Sequence, residues 1–599
     1  MVKHNDILVQ VELKKGEEKL IDLGCIYPLG KVEYKGNIKI DLSHDGTRYF
    51  NRVVDDSLED ETARYIKIKS GINQTVTIRA GLGYYAIKNK EFEKHFIRKH
   101  HWSGADGIYS FNLERKEDYN QQNDKTLFVF GDTFVGQVNE LGNRLEPTAM
   151  VNNTLAYYHN GKIDFEVAKG PLGDYRSLFE PNKEMQKKGY DARNLTMYRG
   201  EVNASPFISA LDFDKDIEIV FHIHGIHHIN KIGIENFRDE PEFGATTVNR
   251  GVKCLDVYTS NDGKEYNYIQ RFKLNKYSKE DPINFFDVDI DAKYIKFVIP
   301  CNLNGNDSLL EDKIVGLRKV YFFNHKGLLY DVSATANSSF FNKTKENWFW
   351  LQDGIIKDNT LHIYPCIIEE DLNGIEGYEF KMTGVAYLQL DIVDGKVDYN
   401  NVKMRNVPLY RFEKNREYMF PIAIYQEDEY AYFYGYYYER ETFVRHLLVS
   451  RITLDKITDL NNLEYFDGTN WVSDMNKAKS ILKHVSCEMS VQKIVEGENK
   501  GKYLAIFQYD TNGPKVAYAI GESVTGPFTK PRIVYQTEEV ETYNKGTTYT
   551  YNAKAHLHLS SPRNILVSYN CNDMSMKRNK DDYSIYHPRF LNLIDTSND

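Results

Sequence analysis

The 599-residue chain has only six cysteines, Cys25, Cys254, Cys301, Cys366, Cys487 and Cys571, and no C-x-x-C pair. Scattered this way they indicate neither a zinc site nor a disulfide scaffold. No window holds eighteen apolar residues, and the opening MVKHNDILVQVELKKGEEKL lacks the apolar core of a secretory leader. On this reading the chain as given is cytoplasmic, secreted only if a signal peptide has been trimmed, and has no membrane partner. Basic runs are missing too. Lys and Arg number 76 against 86 Asp and Glu, a formal charge of −10 with a pI near 6.0, which argues against a nucleic-acid partner. Tryptophan is scarce, with four residues, but 44 Tyr and 32 Phe bring aromatics to 13%. That surplus suits strands and also surfaces that stack on ring-shaped ligands.

Helical periodicity is equally rare, and VSDMNKAKSILKHV is its best instance. Short strands such as TLHIYPCII, YAYFYGYYY, YLAIFQYD and NILVSYN recur between polar turns, so the predicted class is all-β. Two segments repeat one pattern. IDLSHDGTRYFNRVV followed by ARYIKIKS, and VYTSNDGKEYNYIQRF followed by AKYIKFVIP, each run strand, Asp-Gly turn, strand, then a strand opening Ala-basic-Tyr-Ile-Lys. Asp-Gly between alternating runs is a strong hairpin signal. The pattern resembles the discoidin-like jelly roll of many carbohydrate-binding modules. The expected domains are a discoidin-like β-sandwich at 1–94, a first propeller blade at 95–203, an inserted sandwich at 204–325 and the remaining blades at 326–599. Four-strand units starting near 103, 348, 418, 485 and 552 give a five-bladed β-propeller.

The first strand of each propeller blade lines a central funnel, so the blade entries show what converges there. They carry Asp106 in GADGIYS, Asp353 in WFWLQDGII, Glu488 in SCEMSVQKI and His556 in YNAKAHLHLS. Asp132, in FVFGDTF, ends a strand antiparallel to the one Asp106 opens and returns beside it. Paired carboxylates suit glycoside cleavage, in which one protonates the leaving oxygen and the other attacks or activates water. Glu488 stands among Cys487, Met489 and Val491, where burial raises a carboxyl pKa as an acid requires. Trp102 and Trp350 are candidate sugar platforms. Gln352, Asn152, Asn153, Gln508 and Asn570 are candidate hydroxyl partners.

Three stretches, SGADGIYSFNL…KTLFVFGDTFVG…AMVNNTLAYY, WFWLQDGIIKDNTLHIYP and YNAKAHLHLSSPRNILVSYNCN, resemble a family of five-bladed propeller proteins long labelled domains of unknown function. That family is related to bacterial endo-D-arabinanases and more distantly to arabinanases, xylosidases and invertases. The resemblance implies a furanosidase-like funnel, with Asp106 as base or nucleophile, Asp353 tuning the acid and Glu488 as general acid. It also implies that His556 holds a central cation, often calcium, although no cofactor is required. The Asp-Pro and Glu-Cys-Pro signatures of invertase-like enzymes are absent, since the chain reads Asp106-Gly107 and Cys487-Glu488-Met489.

The leading expectation is a glycoside hydrolase acting on an oligo- or polysaccharide, furanoside-type as in arabinan or fructan. A non-catalytic, lectin-like propeller is the second reading. The third is a phosphorylase whose phosphate site draws on Arg144, Arg589 and Lys554.

Overall fold

The computed structural model describes the chain except residues 1–6, 53–57, 59–60, 82, 115–118, 120–124, 198–204, 211–214, 239–246, 304–313, 376–377, 414, 544–545 and 598–599. It is mostly β. Among the described residues the α-helices are three short ones, Lys90–Glu93, Glu539–Thr542 and Met576–Asp581. The segment expected to be helical is not. It holds one 3-10 turn, Met475–Lys477, opened by Asp474 accepting from the Asn476 N–H, and a two-residue strand, Leu482–Lys483. Met475, Ala478 and Leu482 are buried at helix-like spacing, but they enter the same core as Leu447 and Tyr465. A turn followed by an extended run reaches that core equally well.

Five sheets follow one another along the chain. The first orders Lys162–Glu166, Thr154–His159, Thr126–Phe130 and Tyr109–Asn112. The second begins with Gly354–Lys357, Thr360–Ile363 and Tyr378–Val393, the third is built on Arg416–Glu427, Tyr430–Glu439 and Val444–Thr453, and the fourth runs from Met489–Lys493 to Arg532–Gln536. The fifth comprises Thr548–Ala555, Asn564–Asp573 and Arg589–Asp595, and its last place is taken by Tyr84–Lys88 from near the start of the chain. The structure thus puts this strand, inside the 1–94 segment, in the fifth sheet. The boundary expected at 203/204 lies outside the described residues. Both faces of these strands are covered. Leu127 and Val129 join a core with Phe349 and Leu361, while Phe128 and Phe130 join one with Trp102 and Phe590. That is why KTLFVF reads as a continuous apolar run rather than an alternating one. Residues 109–111, 353–355, 424–426, 489–492 and 554–558, one run from each sheet, line a narrow cavity of about 100 Å³.

Two further sheets curl on themselves. In the six-stranded one, the long strand Glu18–Glu33 pairs first with Thr62–Ser70 and then, after a register shift, with Gln74–Ala80. It encloses a core that includes Ile40, Ile66 and Ile78. In the eight-stranded one, Ile217–Asn236 pairs with Ile283–Asn302 along most of its length. Residues 292–300 therefore belong to this sheet and to none of the five. The two Asp-Gly turns are built alike. Ser43 and Ser260 donate to Asp45 and Asp262 at 3.0 and 2.9 Å, and each aspartate also accepts two backbone N–H groups from the residues that follow. Gly46 and Gly263 take φ of 77° and 73°, and a Cβ on either would meet the ring of Tyr65 or Tyr294 at 3.2 Å. Lys67 lies 3.9 Å over Tyr49 and Lys296 4.7 Å over Tyr266. The eight-stranded unit is joined to the second and third sheets by buried charges, Asp331 to Arg405 at 2.7 Å and His227 to Asp459 at 2.9 Å.

Gly263→Val would force a β-branched residue into left-handed backbone against an aromatic ring. We expect a loss of about 1–3 kcal/mol in chemical denaturation, with hydrogen-exchange protection falling in the eight-stranded sheet and not in the five sheets.

Candidate active site

A three-stranded sheet, His100–Ala105, Thr133–Val138 and Arg144–Val151, sets the two first acids side by side. The Asp106 N–H donates to the Asp132 carbonyl at 3.2 Å, and the Gly131 N–H donates to the Asp106 carbonyl at 2.8 Å. The contact is close enough to require glycine, since a Cβ on Gly131 would lie 2.9 Å from Asp106 Oδ1. Gly107, at φ 58°, brings the same turn against Glu488, whose Oε1 lies 3.6 Å from where its Cβ would be. Asp106, Asp132 and Glu488 all face one cavity of about 430 Å³.

The three carboxyls have different surroundings. Tyr551 donates to Asp106 Oδ2 at 2.7 Å, and Tyr586 also hydrogen-bonds it. Burial raises Asp106 to about 6 despite these hydroxyls, with the Glu488 charge adding to the rise and Lys554 opposing it. Asp132 receives Trp350 Nε1 at 2.8 Å and Asn152 Nδ2 at 3.2 Å, both on Oδ1. Burial and then the Asp106 charge push it to about 7. Glu488 is ringed by donors. Asn552 Nδ2 at 3.0 Å and Gln352 Nε2 at 3.5 Å reach Oε1, while Lys554 Nζ lies 2.6 Å from Oε2. Burial leaves its pKa raised, although the Lys554 charge and the hydrogen bonds from Lys554 and Gln352 act against the rise. Donors on both oxygens favour the ionised form.

An arc of aromatic side chains follows the cavity wall. Trp350 meets Phe380 edge-on at 4.9 Å, and Phe380 meets Tyr378 at 5.9 Å. The Tyr378 and Tyr549 hydroxyls are 2.7 Å apart, and the Tyr549 and Tyr551 rings lie 5.3 Å from each other. Sequence reasoning missed Tyr378, Phe380, Tyr549, Tyr551, Tyr586 and Asn552. The signal was present for two of them, because Tyr549 and Tyr551 stand two apart in TYTYNAKA, on one face of an edge strand. Asn552 takes φ 62°, left-handed backbone that no residue pattern announced.

Of the expected sugar-binding residues, Trp350 and Gln352 line the cavity, and Asn152 touches it through Asp132. Other candidates lie elsewhere. Trp102 is not a sugar platform, because its ring is buried in the core and stacked at 4.2 Å on Phe165. Asp353 faces the narrow cavity instead, where its carboxylate accepts the Gly354 N–H at 2.9 Å and the Ile424 N–H at 2.6 Å, tying the second sheet to the third. Asn153 holds the carbonyls of Phe179 and Phe349, Gln508 bonds Gly513 and Thr550, and Asn570 donates to the Ala105 carbonyl at 3.3 Å. All three amides are buried cross-links. The three basic groups offered for phosphate are also spent inside the fold. Arg144 binds the carbonyls of Ser103, Asn579, Tyr583 and Tyr586, and burial lowers it to about 9. Arg589 binds the His587 and Ser584 carbonyls and lies 3.4 Å from Glu539. Lys554 is committed to Glu488.

His556 does not fit a metal. Its Nδ1 is 2.7 Å from Ser110 Oγ and its Nε2 2.9 Å from Ser568 Oγ, which uses both ring nitrogens, and burial lowers its pKa. Among the described residues no three His, Cys, Asp or Glu side chains are grouped to hold an ion. Nor is any described helix long and apolar enough to cross a membrane.

The raised carboxyl pKa values have a thermodynamic consequence. Each acid holds its proton more tightly folded than unfolded, where an aspartate titrates near about 3.9. The stability this confers is present below that value and is lost as pH rises through the folded pKa, for Asp132 about 7. Asp132→Asn keeps an oxygen for Trp350 and cannot ionise. Its melting temperature should therefore fall less than that of the wild type between pH 5 and 8, and exceed it at pH 8. A variant less stable than wild type at every pH would contradict the assignment.

No curated protein sequence matches the chain. Similar solved structures include a protein from Bacteroides ovatus ATCC 8483 provisionally described as a hydrolase, at 12% identity over 85% of this chain and 90% of that one, with a TM-score of 0.45. They also include the family 32 carbohydrate-binding module of Streptococcus pneumoniae EndoD, at 11% identity, 23% and 88% coverage and a TM-score of 0.18. A third is CBM32-3 from a family 31 glycoside hydrolase of Clostridium perfringens, at 14%, 24% and 95%, with a TM-score of 0.19. At these scores none bears on the chemistry. A family model matches residues 89–215 and 311–595 and passes over 1–88 and 216–310, the segments that carry most of the two curled sheets. The chain belongs to the family described as domain of unknown function DUF5005.

Proposed function

We propose that the protein is a glycoside hydrolase in which Asp132 is the general acid and Asp106 the base or nucleophile. On this reading the five sheets are the blades of a propeller whose axis is the narrow cavity, and the two curled sheets are discoidin-like accessory domains. The observation that carries the reading is the pairing of Asp106 and Asp132 at one cavity in unlike surroundings, with tyrosine hydroxyls donating to Asp106 and both donors to Asp132 on one oxygen. Neighbouring carboxyls whose environments differ in this way suit separate acid and base roles.

The local bonding fits those roles. Both donors to Asp132 fall on Oδ1, leaving Oδ2 to carry a proton toward a glycosidic oxygen. Asp106 keeps its charge because tyrosine hydroxyls donate to it. In the step itself, the Asp132 proton goes to the leaving oxygen, which takes the electron pair of the breaking C–O bond. Asp106 adds to the anomeric carbon or removes a proton from the water that does. Water supplies the new hydroxyl, which keeps one of its protons; the other goes to Asp106 in direct displacement, with Asp132 reprotonated from solvent, or to Asp132 when water hydrolyses a glycosyl–Asp106 ester. The aromatic arc gives flat apolar faces for sugar rings. Furanoside-linked glycans such as arabinan or fructan are the first candidates, on the resemblance of the sequence motifs. Glu488, predicted as the acid, takes a different part in this account. It is held by Lys554, Asn552 and Gln352; burial raises its pKa, and its charge, when present, raises Asp106.

Asp106→Asn and Asp132→Asn should each lower turnover on a cleaved glycan by about 10²–10⁴, with folding retained. The pH–rate profile should be a bell whose limbs belong to the pair, near 6 and 7, and Asp132→Asn should lose the alkaline limb. If Asp132→Asn retains that limb while Glu488→Gln loses it, the acid is Glu488. A wild-type protein that binds glycans and cleaves none would be a lectin.

A further inference from the structure

The cavity wall includes two cations. Lys381 is exposed and lies 3.5 Å from Asp371. Arg445, on the third sheet, differs, for no carboxylate lies within 4 Å of its guanidinium among the described residues. Its Nη1 donates to the Thr511 hydroxyl at 2.7 Å, and Tyr436 is its other hydrogen-bonding side chain. The guanidinium lies 4.4 Å from the Tyr438 ring centre and 5.1 Å from that of Tyr436, while Nε is buried with no partner. A charge withdrawn from water is ordinarily paired. Here its direct contacts are rings and a hydroxyl, with Glu417 acting from beyond ion-pair distance and Nε without a partner.

The support for Arg445 is itself strained. Thr511 has φ 70° and Asp510 φ 55°, and left-handed backbone at a β-branched residue costs of order 1–3 kcal/mol. The turn is pinned by His484, whose ring nitrogen lies 2.8 Å from Asp510 and whose carbonyl accepts the Asp510 N–H at 3.1 Å. The Thr511 hydroxyl thereby reaches the guanidinium. The other acids at the cavity are largely compensated. Glu488 is paired with Lys554, and Asp573 with Arg578 at 3.2 Å. Glu417 accepts the Tyr436 hydroxyl at 3.5 Å; burial raises its pKa, and the Arg445 and Arg440 charges, beyond ion-pair distance, act against the rise.

We propose that Arg445 is a subsite for an oxyanion carried by the glycan, a uronate carboxylate or a sulfate ester, so that the furanoside-type substrate carries acidic units beside its neutral ones. A guanidinium is suited to this because its planar fork matches such groups two bonds at a time. The proposal rests on the hydrolase reading for the word substrate, but its test does not.

Isothermal titration with galacturonate, galactose and galactose 6-sulfate involves no glycosidic bond, so binding is read without turnover. Wild type should bind one or both charged sugars at least tenfold more tightly than galactose, and less tightly as salt rises. Uronate over sulfate ester, or the reverse, names the oxyanion. Arg445→Gln should bring the charged sugars down to the galactose level, roughly a ten- to hundredfold loss, and leave galactose unchanged. Arg445→Lys should recover only part, since an ammonium has no fork, and serves if the glutamine variant melts early. Equal binding of charged and neutral sugars by wild type, or full retention by Arg445→Gln, would overturn the proposal. So would turnover that requires added phosphate, which would make the oxyanion a co-substrate.

Discussion

Two backbone hydrogen bonds, from the Asp106 N–H to the Asp132 carbonyl and from the Gly131 N–H to the Asp106 carbonyl, fix everything that follows at the site. They hold two carboxyls against each other where water has little access. Like charges so placed cannot ionise independently. Burial alone raises both acids, and the Asp106 charge raises Asp132 further. Ionising Asp106 thus raises the cost of ionising Asp132, and the local donors decide which one keeps the proton. Tyr551 and Tyr586 favour charge on Asp106, while Asp132 has donors on one oxygen alone. Gly131 and Gly107 serve the same contact by leaving out side chains.

The surrounding cross-links appear to the eye as candidate ligands but act as braces. Arg144 gathers four carbonyls behind the Asp106 strand, Asn570 holds the Ala105 carbonyl next to it, and Asp353 ties two sheets together. Positioning of reacting groups depends on such support. The two curled sheets, with their repeated Ser-Asp-Gly turn and tyrosine, stand outside this bracing and outside most of the residues the family model matches.

Much of the fold was legible because it rests on local chemistry. Asp-Gly turns and period-2 patterning exposed the strands and the internal repeat, and the GADG and FGDTF turns exposed Asp106 and Asp132. What failed did so for physical reasons. Burial at i, i+3 and i+7 made 475–482 resemble a helix although a sheet-borne core accepts an extended chain. Trp102 stood two residues from a cavity glycine turn but on the strand face that points into the core. Asp353 does precede its strand, while His556 follows Thr548–Ala555 instead of opening it, and the polar atoms of both are taken up by serines and backbone N–H groups. No single-sequence signal distinguishes a buried amide that braces from one that faces a ligand, which is why Asn153 and Gln508 were misplaced and Asn552 was missed.

The central claim is that one aspartate at this site holds its proton near neutrality because it is buried and because another carboxylate stands beside it. The most direct measurement is an NMR titration of side-chain carboxyl carbons in aspartate-labelled protein. The account predicts one carboxyl titrating near 7, absent from Asp132→Asn and shifted down in Asp106→Asn, where the neighbouring charge is gone. Aspartates that all titrate below about 5, close to their unperturbed range, would contradict it.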